Sequence, residues 1–166
     1  KPPALETRPE FNEYHADKLF QAYLQQVLDE RPELAERKAQ MYQDSRLFQR
    51  IFERVTHKWL ADAEHSAEPF EGWADFRGRV ANGLHRIRQE YDPHSRIALF
   101  TSGGPISVCV GECLDLAPES IVQLNWVVYN CSVTELRSSR DGWRLMGYNN
   151  ISHLHLEKEA ELITLR

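Results

Sequence analysis

The segment from Phe100 to Val108 carries the residues best suited to chemistry. A short apolar run over residues 97–100 is followed by Thr101-Ser102-Gly103-Gly104, and Pro105 then opens a second apolar stretch. This order predicts a strand, a glycine turn and a helix. The free N–H groups and the dipole at such a helix start stabilise an anion, most often phosphate, and glycines at 103 and 104 would let the backbone approach it closely. An ordinary tight turn is the alternative, because the segment matches neither the phosphate-binding loop that ends in Lys-Ser/Thr nor the Gly-x-Ser-x-Gly elbow.

Two other groupings could bind a metal or supply a nucleophile, and both are weaker. His153 and His155 would share one face of a strand, where Zn²⁺ could bind if a third ligand converged, but the sequence shows no cysteine or carboxylate partner. We therefore predict no metal and no cofactor. Cys109 and Cys113 lie one helical turn apart in an apolar stretch, which favours two small core residues. A cysteine phosphatase would need its thiolate at the mouth of the anion turn, where no cysteine occurs.

The elements before this turn are helical. The opening to Glu13 holds three prolines and predicts an extended loop. Apolar residues at steps of three and four then predict helices over residues 15–30, 32–41, 45–60 (with Ser45 as its N-cap) and 73–91. The other face of the last helix carries Arg77, Arg79, Arg86 and Arg88. A solvated face is the simpler interpretation, and an arginine that faces an anion is the alternative.

The elements around and after the turn are mixed. Arg96 to Thr101 predicts a strand, and a helix should run from Ile106 to Leu116. The run from Ile121 to Tyr129 is apolar and β-branched, as strands are. Beyond it, Cys131–Leu136 and Trp143–Tyr148 flank a polar turn, which predicts a hairpin.

Composition bounds the class of protein. The chain has 166 residues, of which 42% are hydrophobic and 27% charged, and this is typical of one ordinary globular domain. A net charge of −5 argues against a nucleic-acid partner. No apolar run of membrane-spanning length and no secretory leader are visible, so we expect no membrane association. Three cysteines fit reduced thiols, and hence a cytoplasmic location, better than a disulfide framework.

Four blocks together resemble a known family. They are Pro9 to Tyr14, Phe100 to Ile106, Asn130 to Leu136 and Asn149 to Leu154. Their order and spacing, from about Glu6 to the C-terminus, are similar to those of the histidine phosphatase superfamily, the phosphoglycerate-mutase-like proteins. Each block is weak alone, and together they are fairly specific.

The resemblance implies a fold and a reaction. The fold is an α/β three-layer sandwich with helical insertions, so residues 1–166 would form one domain in which 15–91 are the helical layer and cap. A histidine attacks a phosphoryl group, and water or an acceptor resolves the phosphohistidine. Glu13 matches the family's catalytic acid, which protonates the leaving group and later helps to activate water; a plain surface glutamate is the alternative. Ser102, Gly103 and Gly104 match the phosphate-binding turn.

Two departures from the family pattern bear on activity. No Arg-His-Gly, the motif that supplies the nucleophile, occurs in these residues. The chain is therefore expected to be a C-terminal portion, inactive by itself, whose missing first strand leaves an unpaired edge beside Arg96–Thr101. Ser102 stands where the family has a second histidine, and it can donate a hydrogen bond but brings no positive charge. Because one branch of the superfamily carries Thr-Ser-Gly-Gly here, Ser102 is treated as variation and is counted among the catalytic candidates.

These expectations leave three hypotheses. The first is an enzyme that hydrolyses or moves a phosphoryl group on a small phosphorylated molecule. The second is a catalytically degenerate module of the same fold that binds a phosphorylated ligand or a protein. The third adds complementation, in which a first strand arrives from an N-terminal segment or another chain, or the chain forms a homo-oligomer. The substrate, and the choice between mutase and phosphatase, stay open.

Overall fold

A computed structural model describes residues 5–62, 70–157 and 160–165 of the chain. Two compact units make up the chain: Tyr14–Phe76 is one, and Lys1–Glu13 together with Arg77–Arg166 is the other. The start of the opening loop, residues 1–4, lies outside the described residues.

The first unit is helical, as the periodicity predicted. It contains α1 (Ala16–Glu30), α2 (Pro32–Ala35) and α3 (Ser45–Ala61), with a 3-10 turn at Lys38–Gln40 between the last two. The helix predicted over 32–41 is therefore two short pieces. Aromatic rings form the contact between α1 and α3, since the Phe20 ring lies 5.3 Å from that of Phe48 and 5.7 Å from that of Phe52.

The N-cap of α3 is Asp44, which corrects the prediction of Ser45. The Asp44 carboxylate accepts hydrogen bonds from the backbone N–H groups of Arg46 and Leu47, both at 3.1 Å, and Ser45 is already helical. A carboxylate adds a favourable charge at the positive end of the helix dipole. The bond from Leu47 is the main cause that holds the pKa of Asp44 below its ordinary value, with Arg46 and the Arg37 guanidinium contributing.

The second unit carries the candidate site. Its elements are the part of α4 (Trp73–Glu90) from Arg77 onward, α5 (Gly103–Leu114), α6 (Pro118–Asn125), β1 (Val133–Ser139), β2 (Gly142–Asn150) and α7 (Ser152–Leu156), with 3-10 turns at Pro9–Phe11 and Ala160–Leu162. Its buried apolar residues include Phe11, Val80, Leu84, Ile87, Val108, Val110 and Ile121. An ion pair of 2.8 Å between Arg77 on α4 and Glu112 on α5 links these two helices.

The predicted hairpin is present. Strands β1 and β2 pair antiparallel from Val133↔Asn150 to Ser139↔Gly142, with irregular register on both sides of Glu135. Arg88 of α4 donates to the carbonyls of Ser139 and Arg140, and so fixes the hairpin turn to the helix.

Three other predictions need correction. The Arg96–Thr101 segment makes no strand ladder within the described residues, because a strand requires a partner; Ile97, Leu99 and Phe100 are instead 46%, 40% and 90% exposed. The first part of the apolar run Ile121–Tyr129 belongs to helix α6, which Pro118 opens at its first position and which ends at Asn125, and Tyr129 forms an isolated antiparallel bridge with Leu165. The helix predicted from Ile106 to Leu116 begins three residues earlier and ends two earlier.

The structure is thus a mixed α/β protein with a two-stranded antiparallel sheet, in keeping with an α/β histidine-phosphatase-like fold. Among the helices described, none combines the length and the apolar character needed to span a lipid bilayer.

Candidate active site

The site is built at the start of α5. Ser102 is the N-cap residue, with extended backbone angles and a hydroxyl that does not cap the helix. Gly103 and Gly104 occupy the first two helical positions, and Pro105, at the third, has no N–H. Because the first N–H groups of a helix lack intrahelical partners, this start offers the amides of Gly103 and Gly104 as donors.

Backbone conformation does not require glycine at position 103 or 104. Neither has a positive φ angle, so an ordinary residue could adopt their backbone angles. Both are buried, whereas Ser102 beside them is half-buried.

Glu13 lies at this helix start. The Gly104 N–H donates to Glu13 Oε2 at 3.0 Å, across 91 positions of the chain. A carboxylate is favoured there because the dipole of α5 presents its positive end. The structure therefore brings together Glu13, Ser102, Gly103 and Gly104, and it engages the Gly104 amide with the carboxylate.

Thr101 links the same two segments a second time. Its Oγ1 donates to the Phe11 carbonyl at 2.6 Å, two residues before Glu13. Residues 9–11 form a 3-10 turn, and the Phe11 side chain is buried. The chain that leads to Glu13 is thus attached to the residues immediately before α5.

The arginines of α4 do not form a cluster that faces an anion. Arg77 pairs with Glu112, Arg88 binds the hairpin turn, and Arg86 pairs with Glu10 and Glu90. Arg79 donates to backbone carbonyls of the segment before Glu13. The sequence showed only that these residues share a polar face, and the acceptors could not be read from it.

A cavity of about 480 Å³ lies elsewhere in this unit, lined by residues 6–10 with Arg86 and Glu90. Arg8 there pairs with Glu6 at 2.8 Å and with Glu90 at 2.7 Å, and the hydrogen bond to Glu90 is the main cause that raises the pKa of Arg8. Because carboxylates already face this guanidinium, the cavity is a poor phosphate site. It includes neither Glu13 nor Ser102.

The metal and thiol alternatives are not supported by the geometry. His153 and His155 lie on helix α7, not on a strand, so two residues of separation place them on different sides. Within residues 5–62, 70–157 and 160–165, no three potential ligands converge. Burial raises the pKa of Cys109 to about 12, and burial together with Glu112 raises the pKa of Cys113, which disfavours a thiolate at either position.

Comparison with family models decides the family. The model of the histidine phosphatase superfamily (branch 1) matches residues 14–151. The chain belongs to the histidine phosphatase superfamily. Comparison with curated proteins and with solved structures found no match.

Membership in this superfamily supports phosphatase or phosphoryl-transfer chemistry at the level of the family, whose members are hydrolases and mutases that bind small phosphorylated substrates. The histidine phosphatase match contains the α5 turn from Ser102 to Gly104 and begins at the residue after Glu13.

Proposed function

We propose that this chain carries half of the active site of a phosphatase that acts through a phosphohistidine on a small phosphorylated molecule. The observation that supports the proposal best is the hydrogen bond from the Gly104 N–H to Glu13, in a chain of the histidine phosphatase superfamily. It joins an acid to a helix start that attracts anions.

The residues of this half-site take different tasks. The Gly103 N–H and the Ser102 hydroxyl would hold oxygens of the phosphoryl group, since charge-assisted hydrogen bonds to an anion are the strong ones. The Gly104 N–H, which the sequence assigned to phosphate, holds the Glu13 carboxylate instead. A phosphoryl group bound at this helix start would then lie next to the acid.

The chemistry has two steps. In the first, a histidine nitrogen attacks phosphorus and the bond from phosphorus to the leaving oxygen breaks, while Glu13 in its acid form gives that oxygen a proton. In the second, the Glu13 carboxylate takes a proton from water as the water oxygen attacks the phosphohistidine. The phosphorus–nitrogen bond then breaks, and inorganic phosphate and the free histidine are released.

The nucleophile would come from outside the given residues. No Arg-His-Gly occurs in the sequence. The Arg96–Thr101 segment supports the same proposal, because it forms no ladder with any described residue and its exposed apolar side chains suit the addition of a strand. We propose that this strand is supplied by an N-terminal segment or by a second chain.

Hydrolysis of an aryl phosphate tests the role of Glu13. The protein is assayed together with the residues encoded before Lys1, as wild type and as Glu13→Gln. Because general acid catalysis contributes about 10²–10⁴-fold, the variant should be slower by that factor. Glu119→Gln, an exposed glutamate on α6, is the control and should keep the wild-type rate. An unchanged rate in Glu13→Gln would remove the proposed role.

The same assay separates the enzyme from a degenerate binding module. If the extended protein binds phosphate but does not hydrolyse any aryl phosphate, the fold has kept the half-site without the reaction. If it hydrolyses the ester and Glu13→Gln does not, the chain is part of a working histidine phosphatase.

A further inference from the structure

One arginine organises the backbone that leads to Glu13. The Arg79 Nη1 donates to the carbonyls of Pro9, Glu10 and Asn12 at 3.1, 2.8 and 3.0 Å. Three carbonyls can converge on one nitrogen only if the chain curls around it, as the 3-10 turn at Pro9–Phe11 does. The guanidinium thus defines the shape of this segment.

The rest of the segment is also held from outside. The remaining carbonyl, that of Phe11, accepts from the Thr101 hydroxyl. On α4, one turn beyond Arg79, Gly83 lies so close to the segment that a Cβ built there would be 2.7 Å from Glu10 Cβ and 3.0 Å from the Phe11 ring. Every carbonyl from Pro9 to Asn12 therefore has a side-chain donor, and the turn has no room to move toward α4.

This arrangement leads directly to the carboxylate. Arg79 holds the carbonyl of Asn12, and the next residue, Glu13, accepts from the Gly104 N–H through its Oε2. A catalytic acid must lie within hydrogen-bond reach of its target, and a misplacement of about 1 Å can cost about 10²-fold in rate. The contacts that hold residues 9–12 therefore bear on where the Glu13 carboxylate lies.

We propose that Arg79 is a positioning residue for Glu13, which it places at the start of α5 by holding the carbonyls of the preceding turn. This inference rests on the proposed role of Glu13 as the acid.

The Gly104 amide signal in NMR spectra reports the position of Glu13 directly. Glu13→Ala defines the signal of this amide without its carboxylate partner. Arg79→Met should move the Gly104 signal most of the way to that position and speed up exchange of its proton with solvent. Arg88→Met is the matched control, since Arg88 also lies on α4 and also binds two backbone carbonyls, but those of the hairpin turn. Arg88→Met should lower the melting temperature and leave the Gly104 signal in place.

The outcomes separate positioning from general stability. If folded Arg79→Met keeps the wild-type Gly104 signal, or if Arg88→Met moves it equally, Arg79 is not a positioning residue. If Arg79→Met does not fold, Arg79→Gln, whose side chain is too short to reach the three carbonyls, takes its place and the same two results decide. A different measurement tests the proposed function: it fails if Glu13→Gln hydrolyses the aryl phosphate at the wild-type rate. That result would not change how the Gly104 signal responds to Arg79→Met, so the two failures can be told apart.

Discussion

Glu13 and Gly104 lie 91 positions apart and meet through one hydrogen bond of 3.0 Å. Sequence resemblance identified both residues, because each stands in a block similar to a family motif. It did not show that the Gly104 amide would hold the acid in place of phosphate. That assignment depends on Pro105, which removes the next N–H, and on the path of the chain through Pro9–Asn12.

The stabilisation of α3 by the Asp44 cap should depend on pH. The pKa of Asp44 is lower in the folded chain than its ordinary value of 3.8, mainly because the Leu47 N–H binds the carboxylate. At pH values above the ordinary pKa of 3.8, the cap therefore contributes its full stabilisation of the folded chain. This stabilisation is lost as the pH falls through the lower pKa of the folded state. We expect Asp44→Ala to melt at a lower temperature than wild type at neutral pH, with a difference that shrinks in strong acid.

Asp44→Asn is the matched variant. Asparagine is as good an N-cap as aspartate but does not titrate, so its melting temperature should stay near that of wild type at neutral pH. Thermal unfolding followed by circular dichroism over a series of pH values provides the comparison. A neutral-pH melting temperature of Asp44→Ala equal to that of wild type would contradict the role of Asp44 as a cap.

The Arg96–Thr101 segment is the element most in need of a partner. Residues 96–100 form no regular element and are exposed, and Phe100 is 90% exposed. If the segment accepts a strand, the isolated chain should self-associate as its concentration rises, and Leu99→Lys should weaken this association because an inserted lysine blocks edge pairing. Size-exclusion chromatography with light scattering measures the mass at each concentration.

Leu114→Lys is the control for this experiment. Leu114 lies on α5 and is 51% exposed, so its replacement also exchanges an exposed leucine for lysine, but outside the Arg96–Thr101 segment. It should associate as wild type does. A wild-type chain that stays monomeric at every concentration, or an equal effect of the two lysines, would contradict strand acceptance by this segment.

Elements differed in how well the sequence predicted them. Helices α1, α3 and α4 have long amphipathic patterns, which local sequence specifies well. The run from Ile121 was misassigned because a short apolar stretch does not distinguish a buried helix from a strand, although Pro118 marks a helix start. The strand predicted at Arg96–Thr101 forms no ladder within the described residues, because a ladder depends on a partner strand and not on the segment itself.

In the whole molecule, the family match covers more of the chain than the candidate site does. The match over residues 14–151 runs through both compact units. The contacts that build the candidate site all lie within one unit, which consists of Lys1–Glu13 and Arg77–Arg166. They are the hydrogen bonds from Gly104 to Glu13, from Thr101 to Phe11 and from Arg79 to the carbonyls before Glu13. The proposal for phosphate therefore depends on that unit alone.

Titration of this chain with inorganic phosphate, with the amide signals followed by NMR, is the most direct test of the proposed phosphate site at the start of α5. We expect the Gly103 and Ser102 signals to shift and saturate. Ser102→Ala should weaken the affinity by about tenfold or more, the value of a charge-assisted hydrogen bond of about 1.5–3 kcal/mol. Signals at 102–104 that do not move, or that move only with the rest of the surface and without saturation, would contradict it.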